Sequence, residues 1–393
     1  MRTVFINAEI ITPFRKFSGN VIVEENKIID VCPEKITVKP NDIAINASGL
    51  YLSPGFIELH THGGGGHDFM DGTAEAVIEG CRTHLLHGTT AILPTTLSSS
   101  DEELSENLGK IRQVAAAEKT IPEILGIHLE GPYFSPEQNA AQDARYIKHP
   151  NPDEYKKIFR ENPLIKIWSA APELPGAMEM GRWMRDNGII ASIGHSAAVF
   201  EDVMNACENG YTMLTHFFNG MSRLTRKNAK MYLGVAESGL YFDDLTAEII
   251  ADGCHLPASL LKLIYKVKGP DRICLVTDSM RAAGLDAAES ILGSKKNGQR
   301  VEIENGVAYM PGRASFGGSV ATAERLIRTM HKSADVPICE SVRMMTVTPA
   351  RILGVDNRIG SITEGKEADI VLFDNDINIK LVMTKGNIRV NSL

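Results

Sequence analysis

The stretch SPGFIELHTH (residues 53–62) is the first of eight apolar runs, most of which are separated by amphipathic helical patterns. Its apolar residues lead to two histidines that are two positions apart. Apolar runs that alternate with helices are typical of a parallel sheet covered by helices, so the fold class is α/β. Eight such units over roughly 290 residues predict a TIM (β/α)8 barrel. The other seven runs span residues 89–97, 124–132, 165–173, 189–196, 213–220, 247–255 and 273–280.

The two ends of the chain show a different pattern, in which short alternating strands are separated by turn signals. This pattern covers residues 3–50 and the tail GKEADIVLFDNDINIKLVMTKGNIRV (365–390). We expect both chain termini to build one small β-sandwich domain beside the barrel. A Gly-rich stretch follows the eighth run, and helices are expected at about 320–353. The predicted domains are residues 1–52 and 355–393 for the small β domain and residues 53–354 for the barrel.

Charge and composition limit the classes of partner. The 393-residue chain has 41 Lys and Arg against 49 Asp and Glu, a net charge of −8, which argues against a nucleic-acid partner. No stretch approaches the roughly 18 apolar residues of a membrane span, and the N-terminus MRTVFINAEIITPF lacks a targeting pattern. We therefore expect a cytoplasmic protein without a membrane partner. The six cysteines lack CxxC spacing, which favours reduced core residues over disulfides or a thiolate zinc site.

Seven polar residues lie at or just after the carboxyl ends of the runs, where a TIM barrel has its active site. They are His60, His62, Glu130, His195, His216, His255 and Asp278. Side chains from different strands converge there, so we expect these groups to meet. The spacing of His60 and His62 puts both imidazoles on one face of an extended strand. His128 shares a strand face with Glu130 but sits deeper, which favours a core or supporting role.

Imidazole nitrogens together with a carboxylate suit a divalent transition metal such as Zn²⁺ or Fe²⁺. Such a metal lowers the pKa of bound water and polarises a carbonyl, which is the chemistry of amide or ester hydrolysis. Asp278 ends the apolar run ICLVTD, where a carboxylate is costly to bury without partners. Beside a metal it suits a general base that passes a proton from water to the leaving nitrogen. A turn or N-cap role at that position is the simpler alternative.

Six motifs together resemble one known family. They are HxH after PGFIELH, HLEGPYFS around Glu130, SIGHS around His195, THFFNGM around His216, ADGCHLP around His255 and LVTDSM around Asp278. This combination is similar to the N-acetylglucosamine-6-phosphate deacetylases of the amidohydrolase superfamily, and the resemblance runs nearly end to end. It implies hydrolysis of the N-acetyl group of a 6-phosphorylated amino sugar, which gives acetate and glucosamine 6-phosphate. It also implies a homo-oligomer, expected to be a homodimer.

The resemblance implies a ligand set for one or two ions per subunit. Glu130, His195 and His216 match the ligands of the family's main metal. His60 and His62 match additional ligands that some members have and others lack, and these would provide a second metal position. Glu130 is the better candidate for a bridge between two ions, because a lysine that could act as one, Lys166, lies at the start of its strand.

The resemblance also implies roles toward the substrate. Asp278 matches the catalytic acid/base, and His255 matches the histidine that hydrogen-bonds the substrate. Asn219 and Gly220 match a segment that helps to hold the sugar phosphate, and SFGGS (315–319) resembles a loop that touches the sugar.

Two segments depart from the family pattern. Many members have an REPG-like segment whose Arg reaches the phosphate, often across a dimer interface, whereas this chain has SRLTRKNAK, with Arg223, Arg226 and Lys227. We expect Arg226 and Lys227 to bind substrate, and a solvated loop is the simpler alternative. Many members also have a substrate-contacting His in a GxHNP segment, and here Gln142 or Asp143 lies near that position.

Two other functions remain open. The altered loops also suit an amidohydrolase that acts on a different N-acylated amino sugar or on a cyclic amide. A metal-binding protein that has lost catalysis is a further hypothesis, which the joint presence of Asp278 and a full ligand set argues against.

Overall fold

The computed structural model describes residues 2–34, 36–313 and 315–393. Eight parallel strands follow one another in chain order, and each overlaps one of the eight predicted apolar runs. Continuous apolar sequence forms these strands because both of their faces are buried. The strands are Phe56–Thr61, Thr89–Pro94, Ile127–Glu130, Ile165–Ala170, Ile190–Ile193, Tyr211–Leu214, Thr246–Ile249 and Ile273–Leu275.

The parallel strands form a curled sheet in two sections. The first two strands pair with each other, the second also pairs with the short strand Glu123–Ile124, and strands three to eight pair in order. A bridge between Thr95 and His128 connects the two sections on one side. On the other side, the backbone N–H of Asp278 donates to the carbonyl of His60 at 2.9 Å. The ends of strands one and eight therefore lie side by side.

Helices cover the outside of this sheet. Several begin at side-chain caps: Thr73 accepts a hydrogen bond from Ala76 N, and Ser100 accepts one from Glu103 N. The α-helices are Ala74–Leu86, Asp101–Ala117, Pro152–Glu161, Ala177–Asp186, Phe200–Glu208, Val235–Tyr241, Ala258–Lys268, Ala323–Arg328, Ile338–Arg343 and Val347–Ile352. Short 3-10 or π turns span Pro136–Gln138, Pro270–Arg272, Pro311–Arg313 and Thr329–Ser333.

The two chain ends form a second, eight-stranded sheet. Tyr51–Pro54 pairs in parallel with the first strand of the chain and antiparallel with Ile370–Phe373, which joins the N-terminal strands to the C-terminal ones. A separate apolar cluster, which includes Phe5, Val21 and Leu372, is buried within this sheet. Its strands are Arg2–Ile11, Lys16–Glu24, Lys27–Cys32, Ile43–Asn46, Tyr51–Pro54, Ile370–Phe373, Ile379–Thr384 and Asn387–Asn391.

Three small antiparallel units were not predicted. The largest is a four-stranded sheet within the stretch expected to be only Gly-rich loop. Its sequence is polar and rich in turn residues, so the apolar pattern that indicates a buried strand is weak. The strands of the three units are Glu289–Leu292, Gln299–Glu304, Val307–Tyr309 and Phe316–Ser319, then Thr225–Lys227 with Lys230–Tyr232, and Gly63–Gly64 with His67–Asp68.

An apolar cluster that includes Leu59, Leu93, Ile167 and Val276 lies inside the curled sheet. The six cysteines are free. Among the described residues, no helix combines the length and the apolar character that crossing a membrane requires.

Candidate active site

The strand-end residues gather around one cavity of about 240 Å³. The residues of this group that line the cavity are His62, Glu130, His195, His216, His255 and Asp278. The seventh, His60, is fully buried, with its Nε2 atom 3.7 Å from Glu130 Oε2. Three predicted substrate contacts, Gln142, Asn219 and Gly220, also line the cavity.

Backbone conformation at the strand ends aims several of these side chains. His195, His216 and Asp278 have φ angles of 47°, 32° and 44°. This left-handed region costs a residue other than glycine roughly 1–2 kcal/mol. Such strain is found at functional sites, where the surrounding structure holds it in place.

Glu130 Oε1 faces one pair of imidazoles. It lies 3.0 Å from His195 Nε2 and 3.0 Å from His216 Nε2, and these two nitrogens are 3.0 Å apart. Burial alone would raise the pKa of Glu130, but the charge of His60 and hydrogen bonds from the histidines hold it well below its ordinary value. Glu130 is therefore a carboxylate at neutral pH.

Glu130 Oε2 faces the other pair. His62 Nε2 is 3.4 Å from this oxygen and His60 Nε2 is 3.7 Å from it. Asp278 Oδ1 completes the group, at 3.1 Å from His62 Nε2 and 3.5 Å from His60 Nε2. One carboxylate thus stands between two histidine pairs.

The donor set fits a divalent metal. The groups His60–His62–Glu130 and Glu130–His195–His216 each present ligand atoms within 4.8 Å of one another, and all five residues are buried. Among the described residues, the fully buried His60 Nε2 has no hydrogen-bond partner. A buried polar atom without a partner costs about 1–3 kcal/mol, and an ion between the nitrogens and the carboxylate would remove that cost. Nitrogen and oxygen ligands of this type suit Zn²⁺ or Fe²⁺.

His255, which also lines the cavity, is held in place by two neighbouring side chains. Its Nδ1 atom is 2.8 Å from Asp252 Oδ2, and its ring packs against Phe316 with centroids 4.5 Å apart. Burial tends to raise the pKa of Asp252, but its hydrogen bond and charge interaction with His255 lower it. The other ring nitrogen, Nε2, is then the one available to a ligand.

The basic residues are divided between the cavity and the surface. Arg223 lines the cavity, donates to the carbonyl of Phe218, and has its guanidinium carbon 5.4 Å from the centre of the Phe218 ring. Arg226 and Lys227 lie on the exposed strand Thr225–Lys227 and are not among the residues that line the cavity. The structure therefore does not bring these two predicted substrate contacts to the candidate metal ligands within one chain.

Residues 51–389 match the sequence profile of the amidohydrolase family. The chain belongs to this family. It is 33% identical over 350 residues to an N-acetylglucosamine-6-phosphate deacetylase of Lysinibacillus sphaericus, with 88% of each chain covered. The crystal structure of such a deacetylase from Pasteurella multocida matches with a TM-score of 0.91, 30% identity and complete coverage of both chains. A mutant deacetylase from Mycobacterium smegmatis, solved in complex with N-acetyl-D-glucosamine 6-phosphate, matches with a TM-score of 0.90, 27% identity and coverage of 100% and 99%.

Gln142 of this amidohydrolase hydrogen-bonds to a candidate ligand, Glu130, as well as lining the cavity. Its Nε2 donates to Glu130 Oε2 at 2.8 Å, and its Oε1 accepts from Ser98 N at 2.9 Å. His195 has a comparable support, because its Nδ1 lies 2.8 Å from the carbonyl of Gln138. Hydrogen bonds of this kind orient ligands in metalloenzymes.

Sequence reasoning missed several residues of the amidohydrolase site. Asp252, three positions before His255, and Phe316, on the unpredicted four-stranded sheet, both contact the His255 ring. Glu248 lies in the middle of an apolar run, and a charged residue there is the signal that could have drawn attention to it. His128 is fully buried, with its Nε2 2.7 Å from Ser169 Oγ, and its expected core or supporting role stays a prediction.

Proposed function

We propose that this hydrolase removes the N-acetyl group of N-acetylglucosamine 6-phosphate and releases glucosamine 6-phosphate and acetate. The observation that carries the proposal is the meeting of five candidate metal ligands, Asp278 and His255 at one cavity. Deacetylases that bear this substrate in their name share about 30% identity with the chain over most of its length. The relatives thus indicate the substrate, and the site supplies groups suited to amide hydrolysis.

Glu130, His195 and His216 would hold one metal ion, and His60 and His62, together with Glu130, would hold a second. Zn²⁺ and Fe²⁺ are the ions that this ligand set favours. A bound ion of this kind supplies Lewis acidity, which polarises a carbonyl and makes water a stronger acid.

Asp278 would move the proton. Burial tends to raise the pKa of Asp278, but the charges of His60 and His62 and a hydrogen bond with His62 outweigh this effect and lower the pKa to about 2. Its side chain is therefore a carboxylate at neutral pH, with both oxygens free of a proton. In the proposed reaction, it takes a proton from the attacking water and delivers it to the amine nitrogen as the C–N bond breaks. His255, oriented by Asp252, would contact the substrate through Nε2.

Arg223 is the cation best placed to contact the 6-phosphate, because it lines the cavity beside Asn219 and Gly220. The backbone N–H of Asn219 and its side-chain Nδ2 both donate to the carbonyl of His216, at 2.9 and 3.2 Å, which leaves the Gly220 backbone N–H as the donor of that loop. We retain Gln142 as a proposed substrate contact, because it also lines the cavity.

Arg226 and Lys227 would reach a phosphate only in a neighbouring copy of the chain. Their hairpin also exposes Leu224, Met231 and Tyr232, which suits a protein contact. We therefore propose a homodimer, and measurement of the mass in solution by light scattering tests it. A monomer at micromolar concentration would rule out this role for the hairpin.

We also propose two finer features of the fold, a closed barrel and a sandwich of the terminal strands. Strands one and eight are linked at Asp278 N and His60 O, which favours closure of the sheet into a TIM (β/α)8 barrel over residues 53–354. The apolar cluster within the terminal sheet favours a β-sandwich built from residues 1–52 and 355–393. A cytoplasmic location stays a prediction.

Acetate release by the metal-loaded protein tests the activity. The substrates are N-acetylglucosamine 6-phosphate, its galactosamine epimer, unphosphorylated N-acetylglucosamine and a cyclic amide. We expect kcat/KM to be at least 100-fold higher for the phosphorylated glucosamine than for the unphosphorylated one. The variant Arg223→Gln should reduce that ratio mainly through KM. Activity that is confined to the cyclic amide or to another acylated sugar would establish the alternative amidohydrolase function.

A further inference from the structure

Glu248 is a buried carboxylate with no role in the mechanism above. It lies in the seventh parallel strand, Thr246–Ile249, and is fully buried. Its Oε2 atom is 2.9 Å from His60 Nδ1 and also accepts a hydrogen bond from the backbone N–H of His216 at 3.3 Å. Glu248 therefore contacts the ring of His60 and the backbone of His216, which belong to different histidine pairs.

The hydrogen bond to Glu248 determines which nitrogen of His60 carries a proton. A carboxylate oxygen accepts hydrogen bonds, and Glu248 Oε2 already accepts one from the backbone N–H of His216, so we assign His60 Nδ1 as the donor. In the neutral imidazole, His60 Nε2 then carries the lone pair and faces the group formed with Glu130 and Asp278, where it has no hydrogen-bond partner among the described residues. A histidine that donates from one nitrogen to a carboxylate and binds metal through the other is the arrangement found in metalloenzymes.

His62 provides the internal comparison. Its Nδ1 atom is buried and has no hydrogen-bond partner among the described residues, so no carboxylate among them accepts a hydrogen bond from that nitrogen. Another carboxylate near His60, that of Glu58, accepts a hydrogen bond from the backbone N–H of His60 at 3.1 Å and does not touch the imidazole. Glu248 is the carboxylate that contacts the His60 ring from the side opposite the ligand group.

We propose that Glu248 is a positioning residue that fixes His60 with Nε2 toward Glu130 and thereby builds the second metal position. The inference rests on the proposed metal site and is independent of which acylated substrate the enzyme takes. Glu248 is expected to act through His60, whereas the ion at Glu130, His195 and His216 should depend on it much less.

The variant Glu248→Gln tests the proposal, because it removes the charge but keeps the size and an oxygen acceptor. Zn²⁺ ions per chain are counted by elemental analysis, and the affinity of each ion is measured by competition with a chelator. We expect the wild type to bind two ions. In E248Q the affinity for the weaker ion should fall by about 10- to 100-fold, the effect typical of losing a ligand's hydrogen-bond partner. The tighter ion should change by less than about threefold.

Two further variants separate positioning from a general structural effect. Glu58→Gln is the matched control, since it changes another fully buried carboxylate next to His60 without touching the ring, and it should retain both ions. In a His60→Asn background, which removes the ring, E248Q should weaken metal binding no further. Equal loss of both ions in E248Q, wild-type affinity in E248Q, or the same loss in the His60→Asn background would each overturn the proposal.

A measurement on the unaltered protein keeps the proposal testable if E248Q fails to fold. Nitrogen-15 NMR of the zinc-loaded wild type, with His60 assigned by its absence in the His60→Asn variant, should show a protonated Nδ1 and a metal-bound Nε2. A proton on Nε2, or a wild type that binds a single ion at saturating zinc, would refute the inference. A protein with one ion that still releases acetate would leave the proposed function standing, so the two failures can be told apart.

Discussion

Replacing Asp278 with Asn tests the proton-transfer role most directly. Asp278 Oδ1 lies 3.1 Å from His62 Nε2 and 3.5 Å from His60 Nε2, and the pKa of this carboxyl is lowered to about 2. Asn keeps the size and one oxygen but cannot accept the proton of water. General acid–base catalysis contributes about 10²- to 10⁴-fold. We therefore expect kcat to fall by that factor, which corresponds to about 3–5 kcal/mol of barrier at 1.36 kcal/mol per tenfold change.

The assay measures kcat and KM for acetate release from N-acetylglucosamine 6-phosphate, with bound metal determined on the same samples. Metal content and KM should remain within about twofold of wild type. Asp369→Asn provides a matched control, because Asp369 is buried but lies at the terminal sheet, outside the residues lining the cavity. A D278N enzyme with kcat within threefold of wild type would refute the proton-transfer role. A parallel loss of metal would instead indicate that Asp278 acts as a ligand.

Three further outcomes follow from burial, donor chemistry and backbone geometry. Burial raises the pKa of Asp369 from 3.8 to about 7, so this group favours the folded state most below pH 4, and its contribution is lost as the pH rises through 7. Asp369→Asn should therefore be more stable than wild type at pH 8, by up to about 4 kcal/mol. A difference in unfolding free energy between the two proteins that stays the same from pH 4 to pH 8 would contradict this. Removal of metal by a chelator should abolish acetate release and lower the Tm, and Zn²⁺ or Fe²⁺ should restore both; full activity without bound metal would disprove the metal requirement. Gly220→Ala should cost about 1–2 kcal/mol and weaken metal binding, because φ is 55° there and the new Cβ would lie 3.0 Å from His195 Nδ1. Gly188→Ala is its control, since φ is 71° there with open space around the Cβ, so it should lower the Tm without changing metal affinity.

The parallel strands could be predicted from the sequence because their burial on both faces leaves a continuous apolar run. The same logic located the candidate ligands, since a polar residue such as Glu130 or His195 at the end of such a run lies where strand ends converge. The pairing of the chain ends was also accessible, because alternating patterns at residues 3–50 and 365–390 each need a partner. The four-stranded sheet at residues 289–319 was missed, because polar strands on the surface carry little apolar periodicity.

Sequence by itself determined the family, the order of the strands and the residue types at the strand ends. Only the tertiary structure decided which atoms face one another. Glu130 lies between two histidine pairs, and Glu248 contacts the Nδ1 atom of His60. Arg223 rather than Arg226 lines the cavity. The reason is physical. Periodicity reports whether a residue is buried, and this depends on its own element. Hydrogen bonds and metal geometry depend on the side-chain directions of residues that lie far apart in the chain, and on loop conformations that no periodic pattern encodes.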